Sequence, residues 1–138
     1  MPSKRHGFFF DTIMSKQNNL LYWLPAMIMM AMIFYFSSQP AVDLPNFNWA
    51  DGLVKKSGHV IGYALLASSY WYGLETKKDR LWLAWLLAIL YALTDEYHQI
   101  FTAGRHPSIW DVLIFDDIGA LIGLWIFVRH RKRKTQTD

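Results

Sequence analysis

The sequence predicts an all-α, polytopic membrane protein: a four-helix transmembrane bundle with both termini cytoplasmic. Composition is the first reason, because 53% of the 138 residues are hydrophobic and 18% charged, against roughly 25% charged in an average soluble domain. Distribution is the second. The apolar residues collect in four blocks, 20–36, 58–74, 81–94 and 109–128, and the first block holds no charge. Third, the 14 Lys and Arg fall almost wholly between or outside those blocks, as in a chain that crosses a bilayer repeatedly.

A hydrocarbon core about 30 Å thick needs about 20 mainly apolar residues at 1.5 Å of rise each. Each block therefore supplies one helix: Leu20 to about Ser38, about Ser57 to Leu74, Leu81 to about Phe101, and Ile109 to Val128. The membrane domain is 20–128, set between a cytoplasmic arm, 1–19, and a basic cytoplasmic tail, 129–138. The first block reads as an uncleaved helix, because nothing of A-x-A type follows it and Pro25, Tyr35 and Phe36 are atypical of a signal peptide. Orientation follows from the cations. Lys4, Arg5, Lys16, Lys77, Lys78, Arg80, Arg129, Arg131, Lys132, Arg133 and Lys134 fall on one side, and only Lys55, Lys56 and Arg105 on the other. The richer side is cytoplasmic, so the 37–57 and 102–108 connections face outward.

The chain has no cysteine, which excludes disulfides, a thiolate nucleophile and Cys-based zinc or iron–sulfur sites. No nucleic-acid partner is expected, since the basic residues flank hydrophobic segments instead of interleaving with exposed aromatics on one face.

Counting turns from the cytoplasmic ends puts Ser37, Ser38, His59, Asp95, Glu96, Asp116 and Asp117 about 18–26 Å up their helices. Ionisable groups at membrane depth are costly unless they face the bundle interior or a wet cavity, so one polar pocket open to the outside is expected. On helix three Asp95, His98 and Gln99 share a side, whereas Glu96 points about 100° away. His59 and Tyr63 share a side of helix two. Asp116, Gly119 and Gly123 form one stripe of helix four, with a G-x-x-x-G spacing that lets another helix approach closely.

The AGRHPSIWD connection is a tight turn with Ser108 as N-cap and Asp111 in the first helical turn. Arg105 is expected close above Asp95, Glu96, Asp111 and Asp116, either holding a phosphate or carboxylate ligand with its planar fork or clamping the hairpin. His59, with a reference pKa of about 6.5, is the candidate proton carrier. His98 and His106 are read as structural. A metal held by Asp95, Asp116 and His59 has no H-x-x-x-H or H-E-x-x-H spacing behind it, so no metal and no cofactor is expected.

SSQP after helix one, KKSGHVIGYALL opening helix two, DEYHQIFTAGRHPSIWD across the third hairpin and DVLIFDDIGALIG in helix four together resemble the VanZ family of small membrane proteins, from about Ser37 to Gly123. Carried over by position, the resemblance marks Lys56, His59 and Tyr63, then Asp95, Glu96, Gln99 and Phe101, then Arg105 and Ser108, and finally Asp111, Asp116, Gly119 and Gly123. Members commonly carry Asn where this chain has Asp116. The family is named for a member associated with reduced susceptibility to the glycopeptide teicoplanin, which implies a role in the cell envelope.

Two readings of function follow. In the first, the protein binds or modifies an anionic amphiphile such as a lipid-linked envelope precursor. His59, with Asp95 or Glu96, would handle the proton, and Lys56, Tyr63, Gln99, Arg105, Ser108, Asp111 and Asp116 would form the binding site. In the second, the polar cluster only fixes helix packing, and the protein alters antibiotic access or assists partners. The expected partner is a membrane lipid or lipid-linked anion. Four short helices make a small bundle that leaves room for a homo-oligomer.

Overall fold

A computed structural model describes the backbone over residues 5–75 and 78–135, and side chains over 20–75 and 78–133. Four α-helices carry the fold: α1 (Arg5–Ser37), α2 (Asp51–Gly73), α3 (Leu81–Gln99) and α4 (Asp117–Thr135), with a π-helical turn at Asp111–Asp116 running into α4. No strand occurs among the described residues. The all-helical class is the predicted one.

The helix ends differ from the expected spans, because apolar length marks membrane depth and not where helical hydrogen bonding stops. α1 begins at Arg5, so most of the expected arm continues the first helix. α2 starts at Asp51, whose carboxylate in the first turn suits the helix dipole. α4 runs on through the basic tail to Thr135, where Lys and Arg are good helix formers and complement the negative end of the dipole. Over Leu20–Ser37, α1 is long and apolar enough to cross a membrane. The other three helices carry their acids, His59 or the basic tail within the helical stretch.

α2 is the central element and packs against α1, α3 and α4. Small residues permit the close approaches. A Cβ on Gly119 would collide with the Val60 carbonyl oxygen, and one on Gly123 with that of Ala64, so α4 lies backbone to backbone on α2. Ala84, Ala88 and Ala92 form a fully buried stripe on α3, four residues apart and hence on one face. Gly73 of α2 faces the Trp23 ring of α1 in the same way. Side-chain bonds add cross-links: Tyr91 Oη donates to the Met30 carbonyl at 2.7 Å, and Trp85 Nε1 to Asp117 Oδ1 at 2.6 Å. The opposite faces stay apolar and uncovered, including Leu21, Met27, Trp82, Leu90, Leu121, Ile122 and Trp125.

Candidate functional site

The close α2–α4 contact positions the first polar pair. With Gly119 seated on Val60, the preceding turn of α4 lies beside His59, and His59 Nδ1 stands 3.0 Å from Asp116 Oδ1. Asp116 is fully buried. Asp111 and Asp116 bound the π-helical turn; π turns close i→i+5 bonds, which brings these two acids toward the same side. Glu96 of α3 completes the group. Its Oε2 accepts the Ser108 backbone N–H at 2.7 Å, and one ligand atom each of His59, Glu96 and Asp116 lies within 4.8 Å of the others.

Asp95 faces elsewhere, as the predicted 100° offset from Glu96 requires. Its Oδ2 accepts from Gln99 Nε2 at 3.1 Å, and both residues line a cavity of about 400 Å³ between α1, α2 and α3. Met29, Met32, Ile33, Ile61 and Leu65 make one part of its wall, while Lys55, His59, Asp95, Gln99 and Arg105 bring polar groups to the other. Tyr63 lies in the same wall, one helical turn from His59 with its ring stacked at 6.1 Å. Among the described residues, four buried side-chain oxygens have no hydrogen-bond partner: Ser37 Oγ, Tyr63 Oη, Asp95 Oδ1 and Asp116 Oδ2. All four belong to this end of the bundle.

Several expected placements need correction. Arg105 makes no described ion pair with an acid; Nε donates to the Gln39 carbonyl at 3.2 Å and Nη2 to the Phe36 carbonyl at 2.6 Å. Through Arg105 the turn docks on the end of α1, and it meets an acid through the Ser108 backbone N–H, which donates to Glu96. Ala41 N–H bonds to the Ala103 carbonyl, and Gly104 takes a left-handed φ of +72° against Ala41. Arg105 therefore adds side-chain donors to carbonyls at and just beyond the end of α1, where intrahelical partners run out. Ser108 reaches the site through its backbone N–H, and no side-chain cap is described at the following π turn. Lys56 is exposed, with its ammonium 4.6 Å from the Phe115 ring centroid.

Lys55, unmarked in the sequence, is the α2 cation that lines the cavity. It also pairs with Asp51 at 2.6 Å; that hydrogen bond holds the Asp51 carboxyl below its ordinary value. The i, i+4 relation of Lys55 to His59 could have revealed it. His98, expected to be structural, contacts Ser38 Oγ at 3.0 Å and lies against Phe34. Phe101 is exposed and packs edge-on to Tyr97.

The geometry defines a small helical protein with buried acids and one His gathered at one end of an apolar-walled cavity. The VanZ/LLP1 family profile matches residues 22–131, and the chain belongs to that family. Comparison with curated proteins and with solved structures returned no match.

Proposed function

We propose that the protein is a four-span membrane protein, with both termini cytoplasmic, that binds an anionic amphiphile from the outer leaflet. Family membership and the apolar α1 support a membrane location. The uncovered Leu, Ile and Trp faces of the remaining helices suit lipid better than water. The cavity is the single observation that carries the reading. Its apolar wall, with Met29, Ile33, Ile61 and Leu65, suits an acyl or prenyl chain, and Lys55 and Arg105 offer cations to a phosphate or carboxylate at its polar part. His59, in the same wall, is the proton carrier if a reaction occurs there.

A purely structural cluster is the second reading, favoured by the bonds of Arg105 to the end of α1 and of Glu96 to Ser108. Binding of a polyprenyl phosphate and of the uncharged polyprenol to the detergent-purified chain separates the two. Preferential binding of the phosphate, weakened about tenfold or more by Lys55→Met, is expected for the cavity reading. Equal or absent binding of both lipids favours the structural one. A contribution to teicoplanin tolerance, proposed from the family's name-giving member, is tested by expressing the parent and Lys55→Met at matched membrane levels.

A further inference from the structure

The acids at this end of the bundle outnumber the cations that the described bonds give them. Asp95, Glu96 and Asp116 are 4%, 8% and 0% exposed, and the described ion pair among them is His59 with Asp116. Glu96 accepts a backbone amide, whereas Asp116 keeps Oδ2 buried with no partner. Anionic oxygens in a water-poor interior require a counter-charge or a proton.

We propose that His59, Glu96 and Asp116 form a binding site for a divalent transition-metal ion. Each offers a ligand atom within 4.8 Å of the others. Ligands around one zinc-sized ion, at about 2.1 Å from it, stand roughly 3.0–3.4 Å apart, so modest side-chain closure completes the set. One imidazole nitrogen with carboxylate oxygens suits Zn²⁺ or Mn²⁺, whereas Ca²⁺ and Mg²⁺ prefer oxygen alone. Two carboxylates and a neutral imidazole balance the charge of such an ion.

Two further features fit. Asp116 Oδ2 is a fully buried acceptor lacking a partner, and the Ser108 N–H fixes Glu96 as outer-shell donors fix metal ligands. His59 also lines the cavity, so an ion held there has a route from it. The site stands or falls independently of whether the cavity takes a lipid.

The test uses the tag-free full chain in detergent, stripped with EDTA and titrated with ZnCl₂ or MnCl₂ by calorimetry, with metal analysis of the recovered protein. Saturable binding of about one ion per chain and a raised melting temperature are expected. Glu96→Gln and Asp116→Asn should each weaken binding about tenfold or more. Asp117→Asn, whose carboxylate pairs with Trp85 instead, should bind like the parent. Co²⁺ added to the unmutated chain should give d–d bands intensified beyond those of the aqueous ion, and Glu96→Gln should weaken them at the same Co²⁺ concentration, which decides the matter even if Asp116→Asn fails to accumulate. Absence of bound metal, or equal binding by the parent and Glu96→Gln, overturns the site.

Discussion

Arg105 shows how a residue's chemistry can be legible while its partner is not. The sequence places it in a turn near four acids, yet its described bonds go to the Phe36 and Gln39 carbonyls. An unpaired helix C-terminus is a strong acceptor that carries no sequence label. A role in stability follows. Lysine cannot reproduce two donors held in a planar fork, so Arg105→Lys should lower stability by about 1–2 kcal/mol, measured as thermal unfolding in detergent. Lys56→Gln, at an exposed position on α2, should unfold closer to the parent. A larger loss from Lys56→Gln than from Arg105→Lys would reverse that ranking. The same limit applies to Lys55 and Lys56: neighbours on a helix point about 100° apart, and only the packed helices decide which one meets the cavity.

At the scale of elements, the G-x-x-x-G stripe was the most readable feature, because small residues at helical spacing imply backbone contact whatever the partner. The α4–α2 contact bears it out at both glycines. Gly119→Ala and Gly123→Ala should each cost about 1–3 kcal/mol through overpacking and should separate His59 from Asp116. Gly52→Ala and Gly58→Ala meet open space, and on helical propensity they should be neutral or stabilising by up to about 1 kcal/mol. Thermal melting of the four variants checks the contrast; equal effects at all four would deny the close packing. The π turn at Asp111–Asp116 was not legible. It depends on one extra residue per turn being accommodated by the neighbouring helices, and no composition marks that. Helix ends were misplaced for a related reason, since apolar blocks report lipid depth whereas hydrogen bonding continues into Arg5–Asn19 and the basic tail.

For the whole molecule, the question is which way the polar end faces. Ser37, His59, Asp95 and Arg105 gather at the cavity, and the loop after α1 leaves Val42 and Trp49 almost fully exposed, which suits an interface where amphipathic rings meet head groups. Cations set the direction: eleven of the 14 Lys and Arg lie on the side of the termini and the α2–α3 connection. Translocation disfavours short loops rich in Lys and Arg, so that side should remain cytoplasmic and the polar end should open outward. The chain contains no cysteine, so single replacements need no background correction. Cysteines at Asn46 and Ala103, both exposed, should react with an impermeant maleimide in intact cells. A cysteine at Thr135, the end of α4, should react only after permeabilisation. Labelling of Thr135→Cys from outside, with Asn46→Cys and Ala103→Cys protected, would turn the cavity toward the cytosol and remove the outer leaflet as its source of ligand. Labelling of all three from outside would put an even number of crossings between the 37–57 connection and the tail, whereas four spans put three there, α2, α3 and α4.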